Sequence, residues 1–462
     1  MNSLETMTRP SDFAFTREAT SHQSKAKLLI VFFIIVAILA AGLPIWMAAV
    51  FPPPNILFIV ADDLGLSLGC YGHPLVKSPA LDRLAAQGAK FERAYCQFPF
   101  CNPSRASFLS GKRPQTTGVL DGSTHPRKKL AGQIFLPEHF KNNGYFIGRV
   151  GKIEHDTFTD VVRWDIAEEA PATEDRPEND LPNNIPAWQA SELSDEELPD
   201  GRMARRAIEL IREHSSGPFF LAVGFHRPHR PLVAPKKYFD LYDTDDIALP
   251  EDAMVEDGVT PQQKREALRA YFACVSFIDA QVGLILDELD RLGLRENTII
   301  SFTGDHGVDL GHRDRFVRKQ SLFENVIRVP LIFSGPGVPQ SVALDQFAEL
   351  VDIYPTLAAL AGLPEARGME GLSLAPVLND PTRKWRTAVF AENESKDRHH
   401  NCLRTERYKY VKWKDGREAL YDLTLDPGEK NNLAGLREHR KTLKQLKKML
   451  KSGYKSALPP ST

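Results

Sequence analysis

A cysteine at position 101 occurs in the segment YCQFPFCNPSRASFLSG, with Pro103 two residues after it and Arg105 four residues after it. The chain has five cysteines, an odd number, so at least one thiol has no partner for a disulfide within the chain. A lone cysteine is more often a small buried hydrophobic residue than a nucleophile. Cys101 therefore becomes a candidate nucleophile only if other residues complete a reactive site around it.

Several predicted strands end in residues that can bind ions or move protons. Asp62 and Asp63 end the apolar run NILFIVADD, and Asp305 and His306 end NTIISFTGDHG. A single aspartate after a strand is often only a helix cap. Caps do not explain carboxylate, imidazole or ammonium groups at four strand ends, which are these two and the two described next. Because ligands of parallel α/β sheets bind beyond the carboxyl ends of the strands, these residues are predicted to meet in one site.

Cationic residues and histidines occupy the same kind of position. Lys152 follows the strand-like run GYFIGRVG, with His155 three residues later, and His226 ends PFFLAVGF. Together with Arg105 and Lys319, Lys152 indicates an anionic substrate, since arginine and lysine beside a metal clamp phosphoryl or sulfuryl oxygens.

The residue types alone leave the kind of metal open. Three carboxylates make a hard oxygen site that suits Ca²⁺ or Mg²⁺. His306 points instead toward Zn²⁺, iron or manganese, because imidazole is an unusual ligand for Ca²⁺. The chain has neither a CxxC pair nor an HExxH motif, which argues against a zinc site of the usual kind.

The 462-residue chain has the composition of an ordinary globular protein, with 42% hydrophobic and 26% charged residues. Its formal net charge of −2 gives no support for binding to nucleic acid. Five cysteines in so long a chain do not form a disulfide scaffold.

An uncharged apolar segment, residues 28–50, predicts an anchor in a membrane. At about 1.5 Å per residue, a helix of this length exceeds the roughly 30 Å hydrocarbon core of a bilayer. Lys25 and Lys27 precede it, so the positive-inside rule predicts a cytoplasmic tail (1–27) and an exported remainder. Cleavage as a signal peptide, which would give a secreted protein, is the alternative because of the small residues in ILAAG.

The apolar runs predict an α/β fold with a large, mostly parallel central sheet flanked by helices. Five runs without alternation, VPLIFSGPG among them, are typical of strands covered on both faces. The helical patterns between them are SPALDRLAAQGAKF, DGRMARRAIELIREH with Asp200 as its cap, and a long helix that ends at Gly293. Residues 54–380 are assigned to this catalytic domain, with the acidic stretch 160–200 as an insertion of little regular structure.

Residues 381–462 are predicted to form a smaller C-terminal antiparallel-sheet subdomain. The segments YKYVKW and EALYDLTLDPGEKNNLA are typical of short strands and a turn. The terminal basic helix that follows has an apolar face formed by Leu436, Leu443, Leu446 and Leu450. Its lysines could contact an anionic membrane or polymer, although a solvated helix face is the simpler interpretation.

The segment CNPSRASFLSG resembles the signature of the sulfatase family, which depends on formylglycine and belongs to the alkaline phosphatase superfamily. In that signature the cysteine is marked for oxidation by a formylglycine-generating enzyme; Ser110 stands where threonine is more usual. Within the family the chain is most similar to iduronate-2-sulfatases, from residue 55 to about residue 434. The other motifs that carry this resemblance are ADDLGLSLGCYG, GKIEH, FFLAVGFHRPHRP, SFIDAQVG, TGDHGVDLG and LYDLTLDPGEKNNLA.

The resemblance implies a metal site and its ligands. Asp62, Asp63, Asp305 and His306 match the metal-binding positions of the family. The formylglycine made from Cys101 would complete the site around one Ca²⁺ ion. A histidine among the ligands is then expected, since the family tolerates one at this position.

The resemblance also implies roles for the cations and histidines. Arg105 would hold the formylglycine and its sulfate adduct, and Lys152 and His155 match the GKxxH pair beside it. His226 matches the histidine of GxHxPH and Lys319 the lysine after the DHG segment; both should contact the sulfate. The chain departs from the family around Lys319, since LGHRDRFVRKQSLFE lacks the usual glutamate-histidine-glycine run.

The implied function is hydrolysis of sulfate esters of carbohydrates, such as a 2-O-sulfated uronic acid. A hydrated aldehyde suits this reaction, because one hydroxyl attacks sulfur and the other later expels sulfate as the carbonyl re-forms. His226 is the candidate acid for the leaving alcohol and His155 the candidate base, although the sequence also allows the reverse. The alternatives are a phosphate or phosphonate ester hydrolase of the same superfamily, and an inactive protein that binds sulfated polysaccharide.

Overall fold

The computed structural model describes residues 52–459, except for 156–157, 159, 170–176, 178–184, 252–258, 313–315 and 396–397. The chain from Pro53 to Thr462 forms one compact unit. The predicted tail (1–27) and apolar segment (28–50) lie outside the described residues, so both remain predictions. The predicted boundary between residues 380 and 381 also remains a prediction.

A sheet of eight strands forms the centre of this unit. In chain order the strands are β1 (Asn55–Ala61), β2 (Gly88–Phe91), β3 (Phe146–Gly151), β4 (Ile166–Glu168), β5 (Phe219–Phe225), β6 (Thr298–Gly304), β7 (Leu331–Ser334) and β8 (Val342–Leu344). Their order across the sheet is β8-β2-β7-β6-β1-β5-β3-β4. Neighbouring strands are parallel except at β7, which runs antiparallel to β6 and β2. The predicted mostly parallel sheet is confirmed.

Helices flank this sheet, as predicted. The longer ones are α1 (Pro79–Ala86), α2 (Cys101–Ser110), α3 (Leu136–Asn142), α4 (Pro199–Glu213), α5 (Pro261–Arg291), α6 (Ile353–Leu360) and α7 (Arg440–Ser452). Shorter helices are Pro114–Thr117, Pro126–Lys129, Lys236–Phe239, Glu324–Ile327 and Ala375–Asn379. Short strands outside the central sheet are Ala94–Tyr95, Trp188–Ser191, Leu232–Pro235, Asp309–Leu310, Phe316–Arg318, Arg328–Val329 and Ala348–Glu349.

The side chains of β1 show why its sequence is apolar throughout. Leu57 and Ile59 pack into a core cluster with residues of α1, α4 and α5. Phe58 and Val60 point the other way, into a second cluster with residues of α2, α3 and α6. Because both faces of the strand are covered, neither set of alternating side chains is polar.

The long helix α5 ends where its sequence predicts and begins with a capping box. The Thr260 hydroxyl accepts a hydrogen bond from the Gln263 N–H at 3.2 Å, and Pro261 occupies the first turn. Gly293, with φ of +67°, ends it. Within the part of the chain that the structure describes, α5 is the one helix long and apolar enough to cross a membrane, but most of its apolar stretch is buried. It is a core helix of the fold.

Two predictions of local structure were wrong. The predicted first helix stops at Ala86, because Gly88–Phe91 pairs with β7 and becomes strand β2. Asp200 does not cap α4, which begins at Pro199 after Leu198. Its carboxylate instead accepts hydrogen bonds from the backbone N–H groups of His226 and Arg227, at 2.7 and 3.2 Å. Asp200 therefore holds the loop that follows β5.

The acidic insertion is only partly described, and its described residues contain regular structure. Ile166–Glu168 joins the edge of the central sheet as β4, beside β3. Trp188–Ser191 pairs in parallel with Leu232–Pro235. The expectation of little regular structure therefore fails at these two places.

The C-terminal residues form the separate antiparallel sheet that the sequence predicts. Its strands pair in chain order: β9 (Ala388–Ser395), β10 (Arg398–Thr405), β11 (Tyr408–Trp413) and β12 (Glu418–Asp422). Helix α7 packs Leu443 and Leu446 against this sheet. Leu436 precedes the helix and is 43% exposed, so it does not belong to the buried face.

Candidate active site

The site lies at the carboxyl ends of the central strands. β1 pairs with β5 on one side and with β6 on the other, so the residues that follow β1 and β6 are brought together. All the predicted metal-binding aspartates and the predicted histidine are buried there. These residues are Asp62, Asp63, Asp305 and His306.

Cys101 joins these residues from another direction, as the buried first residue of α2. Its Sγ atom lies 3.5 Å from Nε2 of His306 and accepts a hydrogen bond from Nζ of Lys319 at 3.0 Å. One ligand atom from each of Asp62, Cys101, Asp305 and His306 can be chosen so that all four lie within 4.8 Å of one another. We name the strand-end cluster as Asp62, Asp63, Cys101, Asp305 and His306.

Arg105, one turn into α2, binds two carboxylates of the strand-end cluster. Its Nη2 donates to Oδ1 of Asp62 at 3.1 Å, and its Nε donates to Oδ2 of Asp305 at 3.0 Å. Its Nη1 donates to the backbone carbonyls of Lys152 and Ile153. The guanidinium is therefore placed to orient the carboxylates, whereas the sequence assigned it to the sulfate adduct.

Lys152 reaches the cluster from the end of β3. Its Nζ atom lies 2.6 Å from Oδ2 of Asp62. The turn that places it needs glycine at position 151, which has φ of +73°. A Cβ atom there would lie 2.1 Å from the carbonyl oxygen of Gly224.

Lys319 contacts the strand-end cluster even though the motif around it departs from the family pattern. Its Nζ donates to Oδ1 of Asp63 at 2.9 Å as well as to Sγ of Cys101. The next residue, Gln320, has φ of +64°, and its N–H donates to the Pro99 carbonyl at 3.0 Å. This backbone contact ties the lysine segment to the residues just before Cys101.

Asp63 has a left-handed backbone, with φ of +63°, which is uncommon outside glycine. Hydrogen bonds stabilise it: its N–H donates to Oδ1 of Asp305 at 3.0 Å, and its carbonyl accepts from the Tyr271 hydroxyl at 2.9 Å. Sequence reasoning missed Tyr271. In the sequence it is only one of many apolar-face residues of a long helix, and nothing local marks its hydroxyl.

The carboxyl groups of the cluster have unequal pKa values. Burial raises the pKa of Asp62, but nearby cations, Lys152 above all, outweigh it and hold this pKa well below its ordinary value. At Asp63, burial is likewise outweighed, chiefly by Lys319, and the pKa is lowered. At Asp305, burial prevails and the pKa is raised. The two adjacent aspartates are thus held ionised by cations.

Burial also raises the pKa of the Cys101 thiol well above its ordinary value, and the charge of Asp62 adds to this shift. A neutral thiol is a weak nucleophile. For Lys319, burial lowers the pKa, but the negative charges of Asp63 above all and of Asp62 outweigh it and the pKa is raised. The lysine is therefore a permanent cation beside a thiol that stays protonated.

Two histidines follow β5, and the structure separates them. Nε2 of His226 lies 3.8 Å from Oε2 of Glu169. Nε2 of His229 lies 3.9 Å from Oδ2 of Asp63, and its Nδ1 is 2.7 Å from the Arg230 carbonyl. That carbonyl fixes Nδ1 as the protonated nitrogen, so Nε2 is the atom that gains or loses a proton. Sequence reasoning put His226 forward as the histidine that contacts the sulfate.

His155 follows Lys152 and lies beside the loop that faces the start of α2. A Cβ atom added at Gly122 would lie 3.9 Å from Nε2 of His155 and 3.3 Å from the ring of Phe100. These distances put His155 close to the ring of Phe100, the residue before Cys101, and the role that the GKxxH pattern predicts for His155 stays a prediction.

A family model described as Sulfatase matches residues 54–363. The chain belongs to the sulfatase family. A second model, N-sulphoglucosamine sulphohydrolase, C-terminal, matches residues 312–456 of this sulfatase. The predicted family is therefore confirmed.

Individual proteins agree with this assignment. This sulfatase is 35% identical over 380 residues to iduronate 2-sulfatase of Homo sapiens, which covers 67% of this chain and 69% of the relative. A solved 2-O GAG sulfatase is 25% identical with a TM-score of 0.71, and covers 87% of this chain and 91% of that one. A phosphonate monoester hydrolase of Agrobacterium radiobacter is 22% identical with a TM-score of 0.75, over 86% and 95% of the chains, a likeness of fold. The protein is a sulfuric ester hydrolase.

The family implies a metal ion and formylglycine, and the residues of this sulfatase fit both. Ligand atoms of the buried Asp62 and Asp305 carboxylates lie within 4.8 Å of a His306 nitrogen and the Cys101 sulfur, and Oδ2 of Asp62 already lies 2.6 Å from the Lys152 ammonium. A buried carboxylate oxygen of this kind is suited to a cation. The thiol of Cys101 is a soft ligand in a set that otherwise offers carboxylate oxygens and one imidazole, and its replacement by an oxygen group would bring the set closer to the oxygen ligands that Ca²⁺ prefers.

Proposed function

We propose that this sulfatase hydrolyses sulfate esters of carbohydrates, with a 2-O-sulfated uronic acid as the preferred substrate, through a formylglycine made from Cys101. The observation that carries the proposal is the strand-end cluster itself, in which Cys101 contacts both a metal-type ligand set and a buried lysine. The similarity to iduronate 2-sulfatase and to a 2-O GAG sulfatase supports the choice of sugar.

One Ca²⁺ ion would be held by Asp62, Asp63, Asp305 and His306. When bound, it supplies positive charge that polarises the reacting oxygen and the sulfate. Arg105 serves this site by fixing two carboxylates, since its guanidinium bonds both Asp62 and Asp305. Oxygen ligands predominate in the set, which is the preference of Ca²⁺.

The hydrate of formylglycine, formed by addition of water to its aldehyde, would supply the two hydroxyls that the reaction needs, one for attack on sulfur and one for release of sulfate. An unmodified Cys101 is unsuited to the task, because burial keeps its pKa high and its thiol neutral. Its position as first residue of α2 also places the helix N-terminus, which favours negative charge, at the reacting atom.

Lys152 and Lys319 orient the sulfate, whose charge lies on its outer oxygens. Each ammonium already lies within 3.0 Å of an aspartate of the cluster, so both can offset charge as it shifts during the reaction. Neither lysine has to move in from solvent, since both are largely buried.

Proton transfer is assigned to His229 and His155. We propose His229, in place of the predicted His226, as the acid for the leaving alcohol, because its Nε2 lies 3.9 Å from Oδ2 of Asp63 whereas Nε2 of His226 lies near Glu169. His155 keeps its predicted role as the base during sulfate release. His226 then serves at the rim of the site, where its backbone is held by Asp200.

Sulfatases of this kind are generally exported, and we propose the same for this one. An N-terminal anchor in the membrane, or secretion after cleavage, remains the prediction for residues 28–50. Cys101 is 1% exposed in the folded protein. A formylglycine-generating enzyme would therefore have to act on the chain before it folds.

The mass of the tryptic peptide from Ala94 to Arg105 tests the nucleophile, in protein expressed with a formylglycine-generating enzyme. The expected result is formylglycine or its hydrate at position 101, together with release of sulfate from 2-O-sulfated uronic acid sugars. The matched substrates are the 6-O-sulfated sugar and the corresponding phosphate ester. An intact thiol in an enzyme that still releases sulfate would overturn the assignment of Cys101 as the nucleophile. Faster hydrolysis of the phosphate ester than of the sulfate ester would overturn the proposed reaction.

A further inference from the structure

Helix α7 carries an unusual concentration of positive charge. Its sequence, RKTLKQLKKMLKS, has six basic residues and no acidic residue, in a chain whose formal net charge is −2. At about 100° per residue, all six fall within roughly one third of the helix circumference. We name this surface the basic face; its members are Arg440, Lys441, Lys444, Lys447, Lys448 and Lys451.

The fold holds the basic face toward solvent. Leu443 and Leu446, on the other side of α7, are buried with Leu403, Tyr410 and Leu420 of the C-terminal sheet. All six members of the basic face are exposed. The helix therefore cannot turn its charges inward without giving up this core.

Most of the basic face lacks a charged partner. Lys447 forms an ion pair with Glu418 at 2.6 Å. Among the described residues, the other five members form no ion pair. Like charges on adjacent turns repel one another, which costs stability unless an anion neutralises them.

We propose that the basic face binds a sulfated polysaccharide, the polymer whose sulfate esters this enzyme removes. This inference rests on the proposed function. The face extends roughly 16 Å along the helix, because eleven steps of about 1.5 Å separate its ends, and a polymer that carries repeated sulfates presents anions over such a length.

A lipid bilayer is the less suitable partner. An amphipathic helix that lies in a membrane inserts its apolar side between the lipids. In α7 that side is already occupied, since Leu443 and Leu446 are buried against the protein's own sheet. What remains outside is charge alone, which fits a soluble polyanion.

Binding at this face acts by holding the polymer near the enzyme. It raises the local concentration of sulfate esters and so lowers KM for a polymer, while kcat and the turnover of a sulfated monosaccharide stay unchanged. A purely solvated face would change neither quantity. A lower KM for the polymer, with unchanged turnover of the monosaccharide, therefore distinguishes the proposed role from a purely solvated face.

The test is a fourfold variant of the full chain with K441Q, K444Q, K448Q and K451Q, which spares both leucines and the Lys447–Glu418 pair. Its matched control removes four exposed charges elsewhere, with K77Q, R367Q, R383Q and K384Q. Heparin serves as the probe in a binding assay at physiological salt. We expect Kd for heparin to rise at least about tenfold in the first variant and to stay within about twofold in the control.

Three results would overturn the proposal. They are an unchanged Kd for heparin in the first variant, an equal loss in the control, and tighter binding of the wild-type protein to phosphatidylserine vesicles than to heparin. The binding assay does not depend on turnover. If the wild-type enzyme releases no sulfate from any sugar, the proposed function fails, and the heparin result still decides whether the face binds a polyanion.

Discussion

Two groups of buried carboxylates and cations can be compared in this sulfatase. One is the strand-end cluster with its lysines and Arg105. The other, which we name the arginine cluster, lies beside the C-terminal sheet and consists of Arg113, Glu349, Asp352 and Arg386. In both, side chains that are normally exposed are almost wholly buried. Burial of charge is therefore not what distinguishes a reactive site from a structural one in this protein.

The partners of the carboxylates make the difference. In the arginine cluster both oxygens of Glu349 accept from guanidinium groups, and its Oε1 also accepts from the Phe390 N–H at 3.0 Å. Asp352 accepts from Arg386 at 2.7 Å and from two backbone N–H groups. These contacts occupy the oxygens. The strand-end cluster instead brings carboxylate oxygens, a thiol and an imidazole within 4.8 Å of one another, a mixed set of metal-type ligands that the arginine cluster lacks.

The largest expected effect comes from removing the proposed nucleophile. Cys101→Ala should lower kcat/KM for a sulfated sugar by at least about 10⁴-fold, because the proposed covalent intermediate forms on this residue. The melting temperature should change little, because the substitution removes a single sulfur atom, and that atom is surrounded by polar side chains and not by the apolar core. Residual activity within tenfold of the wild type would return Cys101 to the role of a buried hydrophobic residue.

Replacing each of the two histidines in turn tests which one acts as the general acid. His229→Asn should lower kcat by about 10²–10⁴-fold, the usual contribution of a general acid, and a substrate with a better leaving group should recover part of it. His226→Asn should cost less than about tenfold. Rates for both variants on a sugar sulfate and on an aryl sulfate decide the question, and the opposite ranking would restore the sequence-based assignment.

Removing one cation from the arginine cluster should affect stability and not chemistry. Arg386→Met removes the guanidinium that pairs with Asp352 and one of the two that pair with Glu349, and should lower the free energy of unfolding by about 3–5 kcal/mol. Arg383→Met, three residues away and exposed, is the matched control and should change it by less than about 0.5 kcal/mol. Denaturant unfolding gives both values, with kcat of the folded enzyme expected to stay the same. A loss of kcat in the folded Arg386 variant would show that the two clusters are coupled.

The smallest effect concerns Asp279, a buried carboxylate outside both clusters. It accepts the backbone N–H groups of Ala80 and Leu81 at the start of α1, and burial raises its pKa to about 7. Because this folded-state pKa is above the unfolded one, folding takes up a proton between about pH 4 and pH 7, and the stability that the group provides falls as pH rises through this range. Relative to Asp279→Asn, the wild type should lose about 1–3 kcal/mol between pH 5 and pH 8. A constant difference between the two unfolding curves would refute the shift.

Much of the site could be predicted from the sequence because its residues stand directly after uninterrupted apolar runs. Such runs mark strands covered on both faces, and parallel strands place their carboxyl ends together. Asp62 and Asp305 are 243 residues apart, yet both come from neighbouring strands. Position after a strand did not reveal Cys101. The resemblance of its segment to the sulfatase signature was needed to distinguish it from the other four cysteines.

The remaining features depend on tertiary contacts that leave no local pattern. Asp200 has the sequence context of a helix cap, but its carboxylate is used by the distant backbone of His226. Tyr271 has the context of a core residue, but its hydroxyl supports Asp63. His226 and His229 are three residues apart after the same strand, so only the path of the loop decides which one lies near Asp63.

The central place of β1 has a consequence for synthesis of the chain. β1 is made first, but its neighbours β5 and β6 lie 164 and 243 residues later in the sequence. At about 5–20 residues per second, roughly 10–30 s pass before either edge of this apolar strand can be paired. An unpaired, hydrophobic strand is prone to aggregation. This sulfatase should therefore depend on a chaperone that shields its first strand during translation, more than a protein whose central strands are adjacent in sequence.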